Sequence, residues 1–214
     1  LKFLTLLTRP NTKSWLVRGA WVLIAFSTLT SAILAAHWFG YDIAAQYMRS
    51  FNVVLGAAAA GYTAFLFRQC EGRDLWQERS LLPHLLVQAV LCGAAAILPF
   101  ANPSIRLEFC LAAALGVHSL FLVMSQRAKP ESLNARQATG YLPIVRMGRI
   151  PSPFILGGSL VGVIVPGVLL YVASLGRESE SAVVLHAVAV VAILLGLFSY
   201  KYAYIRAGQL PPLS

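Results

Sequence analysis

A chain of 214 residues that is 58% hydrophobic, only 12% charged and has a mean hydropathy of +0.71 is too apolar for a soluble domain. Its formal net charge of +9 would suggest a nucleic-acid partner in a soluble protein, but here the Lys and Arg fall between long apolar runs. There they set membrane topology, so the composition argues for an integral membrane protein in contact with lipid and against nucleic acid.

Leu1 to Leu7 has neither the make-up of a signal peptide nor the length of a span, and the first residue is not Met, which is the pattern of an internal piece of a longer protein. After it, six stretches are long and uncharged enough to cross a membrane: residues 15–36, 51–67, 82–100, 107–125, 153–175 and 182–202. None alternates apolar and polar residues as barrel strands do, so the expected fold is a single all-α transmembrane domain over 1–214. The second span is short, and Arg68 can complete it by reaching back to the interface. Gly56, Ala57, Ala60 and Gly61 keep one face of that span slim, Gly158 and Gly162 form a small-xxx-small pair in the fifth, and Pro166 predicts a kink in the fifth.

Six spans put both termini on one side. Of the 17 Lys and Arg, 14 fall with the termini and the loops 68–81 and 126–152, and 3 (Arg49, Arg106 and Arg177) fall opposite. The bias predicts cytoplasmic termini in a multi-pass protein of a bacterial or archaeal cytoplasmic membrane. The basic side can also dock a peripheral subunit, with Arg68, Arg73, Asp74 and Trp76 from one loop and Arg136, Arg146 and Arg149 from the other as candidate contacts. In the loop 126–152, which also carries Arg127 and Lys129, Pro130-Glu131-Ser132 reads as the start of a short interfacial helix.

Cys70, Cys92 and Cys110 are too scattered for a cluster-binding motif, so no iron–sulfur centre is expected on this chain. Walker, GxSxG and HExxH motifs do not occur. What stands out is polar residues inside spans, which cost free energy to bury and need a reason. Tyr62, Gln88 and His118 lie six or seven residues from the basic ends of the second, third and fourth spans, about 10 Å deep, with His84 one turn from Gln88. Together they can line a pocket offering hydrogen bonds and protons to a quinone without a permanent charge in lipid. Two other readings stay open. His84 and His118 toward the basic side, with His37 and His186 toward the other, can be axial ligands of two b-type haems. Alternatively, the chain is a structural scaffold for a peripheral complex.

Gly61-Tyr62-Thr63-Ala64-Phe65, Trp76 and Leu81-Leu82-Pro83 resemble the fourth-helix motif and following loop of the NrfD-like, polysulfide reductase type of membrane subunit. Arg9-Pro10-Asn11 with Ser14-Trp15, the run from Gly162 to Pro166, and the closing Arg206-Ala207-Gly208-Gln209 are similar to further motifs of that family, in the same order. The family's Phe-Trp pair before its seventh helix is Phe154-Ile155 here. The resemblance implies the third to eighth helices of an eight-helix, haem-free quinone anchor, with menaquinone or ubiquinone as the redox partner and Tyr62 in the pocket. It also implies a ferredoxin-like iron–sulfur subunit and a molybdopterin catalytic subunit as partners. The family's first two helices have no counterpart in the sequence, which implies either further residues or a pocket completed by another membrane subunit.

Overall fold

A computed structural model of the chain describes residues 11–100, 105–127, 130, 132–176 and 179–213. Arg9, Pro10, Lys129, Glu131 and Arg177, which enter the readings above, lie outside them. In chain order the elements are α1 (Trp15–Trp38), α2 (Asp42–Arg68), a 3-10 turn (Asp74–Gln77), α3 (Leu81–Ile97), α4 (Ile105–Arg127), α5 (Leu133–Tyr141), a two-stranded hairpin of β1 (Arg146–Met147) and β2 (Ile150–Pro151), α6 (Pro153–Leu175) and α7 (Glu180–Gln209). Five of these helices, α1, α2, α4, α6 and α7, are long and apolar enough to cross a membrane. The apolar helix α3 is shorter, with 17 residues, or about 26 Å at 1.5 Å per residue. The protein is an all-helical, multi-pass membrane protein.

Charge-bounded spans underestimate two helices. The second was expected from residue 51, but α2 begins at Asp42, and the sixth was expected to end near 202, but α7 runs to Gln209. A charge marks where a segment leaves hydrocarbon. It does not stop the backbone hydrogen-bond ladder, which continues through the headgroup zone. Asp42 suits its place in the first turn of α2, where the helix dipole favours an anion.

Contacts divide the chain into two compact units, Leu1–Cys70 and Glu71–Ser214. In the first, α1 and α2 form a helical hairpin. Gly56 lets Phe26 approach, since a Cβ there would lie 3.3 Å from the Phe26 ring, and Asn52 Nδ2 donates to Thr30 Oγ1 at 2.9 Å. Trp15 stacks on Phe65 with ring centroids 4.3 Å apart.

The second unit is a bundle around α7. Its core joins Leu91, Ala94, Ala95 and Leu98 of the α3 region to Leu111, Ala114 and Leu115 of α4 and Val190, Ile193 and Leu197 of α7. The small residues of α6 do the packing that their spacing suggested: a Cβ on Gly162 would lie 2.7 Å from Cα of Gly196, so α6 and α7 meet backbone to backbone. At Pro166, where a kink was expected, the winding of the helix changes. Pro153–Ile164 makes wide π-type turns, with the Val165 N–H reaching Leu160 O, and Val165–Leu175 returns to α-helix. Proline has no N–H for the carbonyl four residues back, and the wider register before it redistributes those bonds.

The short helix anticipated after Pro130 is α5, where the Ser132 hydroxyl caps the first turn by accepting from the Ala135 N–H at 3.0 Å. Asn134 ties it to the chain end by donating to Pro212 O at 2.6 Å. The β-hairpin had no counterpart in the sequence reading. Its turn uses Gly148 at φ 59°, a left-handed conformation that glycine adopts without strain.

Candidate functional site

His84 is the centre of the bundle's polar cluster. Pro83 sits in the first turn of α3, where a missing N–H costs little, and this starts the helix so that His84 and Gln88 project from one face. His118 lies on the buried stripe of α4 that also carries Glu108, Leu111, Leu115 and Leu122. From α7 come Tyr200 and Tyr204, again one turn apart. His84, Gln88 and His118 are 5%, 3% and 1% exposed and Tyr200 is 4% exposed, so their polar atoms must satisfy one another.

They meet at the two ring nitrogens of His84, while Gln88 Oε1 has no partner among the described residues. Nδ1 lies 3.3 Å from the Tyr200 hydroxyl. Nε2 lies 2.8 Å from His118 Nδ1 and 3.1 Å from the Gln88 amide nitrogen. One ring nitrogen carries either one proton or one lone pair, so Nε2 cannot bond fully to both neighbours at once. The chain Tyr200–His84–His118 therefore has two proton arrangements, related by a tautomer change at His84, and can pass a proton along its length. Phe121 stacks on His84 at a centroid distance of 4.6 Å and an interplanar angle of 11°, which holds the imidazole plane.

His84 and Tyr200 open onto a cavity of about 450 Å³, whose wall also includes Glu78, Phe121, Met124 and Tyr204. A second cavity, of about 520 Å³, shares Glu78, Ser125 and Tyr204 with it and reaches Asp74, Gln77 and Arg79 beside the loop 68–81. The two cavities adjoin at their three shared residues, between that loop and His84. Tyr204 is held in this wall by donating to Leu75 O at 2.8 Å.

Thus three of the four residues singled out in the sequence, His84, Gln88 and His118, meet in one cluster. Tyr62 belongs to the N-terminal hairpin, where its ring lies flat on Gly19 so closely that a Cβ there would overlap it. Tyr200, Tyr204, Phe121 and Glu78 are site residues that the sequence reading missed. The depth argument would have found Tyr200 had the last helix been given its full length. An end near 202 leaves the residue two positions from the end of the span, but it lies nine residues before Gln209, about 14 Å from the helix end.

The candidate docking residues have varied surroundings. Arg73 donates to the carbonyls of Gly208, Gln209 and Pro211 at 3.2, 2.9 and 2.6 Å, so it caps the end of α7. Trp76 is buried against Gly208, where a Cβ would collide with its indole. Arg68 lies 5.7 Å over the Phe65 ring, and Asp74 opens the 3-10 turn. Arg136 donates to Pro130 O at 2.6 Å, Arg146 accepts at its carbonyl from the Tyr202 hydroxyl at 3.4 Å, and Arg149 is exposed in the hairpin turn. The other two histidines have carboxylate neighbours: His37 meets Asp42 at 2.6 Å and also contacts Arg49, and His186 faces Glu108 at 3.8 Å. Comparison with protein-family models, with curated proteins and with solved structures gives no match.

Proposed function

We propose that this chain is the membrane anchor and quinone-reactive subunit of an iron–sulfur oxidoreductase of the NrfD-like kind. In this reading a ferredoxin-like subunit, with a molybdopterin catalytic subunit behind it, docks on the basic, cytoplasmic side and exchanges electrons with menaquinone or ubiquinone. The observation that carries the reading is the His84–His118–Tyr200 chain at the wall of a cavity of about 450 Å³, a size within the usual range for small-molecule sites. Reduction of a quinone adds one proton to each oxygen. The Tyr200 hydroxyl donates one, breaking its O–H bond as the new O–H forms on the substrate, and His84 Nδ1–H restores it. The Glu78 carboxyl in the wall of the same cavity returns the proton His84 gave up, gives the second quinone oxygen its proton in the same way, and is recharged each time from water on the loop side, while His118 and Gln88 hold His84 through Nε2. Gln88 orients His84.

The di-haem reading is weaker on this geometry. An iron with imidazole bonds of about 2 Å on each side needs its ligand nitrogens about 4 Å apart, whereas His84 and His118 are hydrogen-bonded at 2.8 Å. The test is quinone-linked turnover of the purified complex carrying His84→Gln, which keeps a hydrogen-bonding side chain but removes the relay. A loss of roughly 100-fold with normal subunit assembly is expected. Unchanged turnover and unchanged affinity for quinone-site inhibitors would leave a scaffold. A b-type haem band stoichiometric with the chain in a reduced-minus-oxidised spectrum would favour the haem reading instead.

A further inference from the structure

A second ionisable pair lies at the other end of the bundle and plays no part in the His84 cluster. Glu108 is in the first turn of α4 and His186 is six residues into α7, both near the helix ends opposite the basic loops. Their side chains are only 10% and 12% exposed, and Nε2 of His186 lies 3.8 Å from Oε1 of Glu108. That gap is too long for a hydrogen bond, yet a small side-chain rotation closes it. The Nε2 atom is buried and has no hydrogen-bond partner among the described residues. A carboxyl and an imidazole inside a membrane helix bundle each carry a desolvation cost, so the pairing calls for a function.

Both residues line a cavity of about 560 Å³ between α4, α6 and α7, with Ser119 and Ser174 as further polar groups. Its titratable wall residues are Glu108, His186 and the exposed Tyr171 of α6. Arg106, two positions before Glu108, is exposed. Leu91, Leu111, Leu115, Val190, Ile193 and Leu197, all buried and all apolar, pack together in the core of the bundle. Along α4 the ten residues from Glu108 to His118 span about 15 Å.

We propose that Glu108 and His186 form a proton-exchange site that serves the charge-poor face of the membrane. The pair holds one proton in either of two arrangements. In one, the carboxyl O–H is intact and His186 is neutral. In the other, that O–H has broken and an N–H has formed on Nε2, leaving a carboxylate beside an imidazolium. Neither arrangement changes the net charge buried in the bundle, so the proton can move within the pair without a further counter-ion. The inference does not depend on quinone chemistry.

The test uses dicyclohexylcarbodiimide, a membrane-permeant reagent that modifies protonated carboxyls, on the intact complex in proteoliposomes of one orientation. Peptide mass spectrometry reads the adduct on Glu108 while the pH is changed on one side at a time. The expected result is modification of Glu108 that slows several-fold when the charge-poor side is made alkaline and is indifferent to the basic side. His186→Asn should change that pH response without altering labelling elsewhere. No adduct on Glu108 at any pH, or a rate that follows the basic side, would overturn the proposal. The primary readout needs no variant, so a misfolded mutant cannot mask the answer.

Discussion

The N-terminal hairpin and the C-terminal bundle are both built from apolar helices, but they use their polar residues differently. In the hairpin, polar contacts lie at exposed positions: Asn52 to Thr30 at 2.9 Å, the Trp15 N–H to Gln69 at 3.3 Å, and His37 to Asp42 at 2.6 Å and to Arg49. Only 11% of the apolar window of either helix is buried, against 39% for α7. In the bundle, His84 meets Tyr200, His118 and Gln88 through two nitrogens and stacks on Phe121. The difference teaches that a buried multi-centre network needs a helix wrapped on several sides. In such surroundings hydrogen bonds reinforce one another and a proton has more than one place to rest. A two-helix hairpin can tie its helices together, but it cannot enclose a relay.

The largest effect should come from attacking the wrapping. Gly162→Val places a side chain where Gly196 Cα stands, and overpacking of this kind costs about 1–3 kcal/mol or more. The bundle should lose several degrees of thermal stability in detergent. Gly56→Val in the hairpin meets only the edge of the Phe26 ring at 3.3 Å and should cost less. Equal losses would show that the two regions are packed alike.

A middle-sized effect separates the two tyrosines. Tyr200→Phe removes the hydroxyl next to His84 Nδ1 and should lower quinone-linked turnover by roughly 10-fold to 100-fold. Tyr62→Phe should change turnover and inhibitor affinity less, because the Tyr62 ring packs on Gly19 whether or not the hydroxyl is present. A larger loss from Tyr62→Phe would place the decisive hydroxyl in the hairpin. The smallest effect is that of a single tie. Asn52→Ala should destabilise the hairpin by about 0.6 kcal/mol, the average for hydrogen bonds between membrane helices, as read from unfolding in mixed micelles. A cost several times larger would make the hairpin's ties part of a network too.

Much of the fold was legible because hydrocarbon imposes a length. Each charge-free run corresponds to an apolar helix, and Ser132 marks the start of α5 through its capping hydroxyl. The gaps were at ends and turns. The starts and stops of α2 and α7 follow the backbone ladder past the charges, and the β-hairpin rests on Gly148 in a loop with little periodicity. In the site, His84, Gln88 and His118 were found because burying polar groups in membrane helices is costly enough to be conspicuous. Tyr200 was missed because its depth depends on where α7 ends. Glu108 was passed over as a charge near the start of a span, since nothing in α4 alone reveals His186 across from it.

From the sequence alone came the membrane, the helices, the charge bias and the polar residues out of place, since all of these are properties of single segments measured against lipid. Only the tertiary structure decided which of those residues are neighbours. Helical periodicity assigns a face to each side chain but does not say which helix that face meets. The Gly162–Gly196 backbone contact and the leucine-rich core set that choice, bringing Tyr200 to His84 at one end of the bundle and His186 to Glu108 at the other.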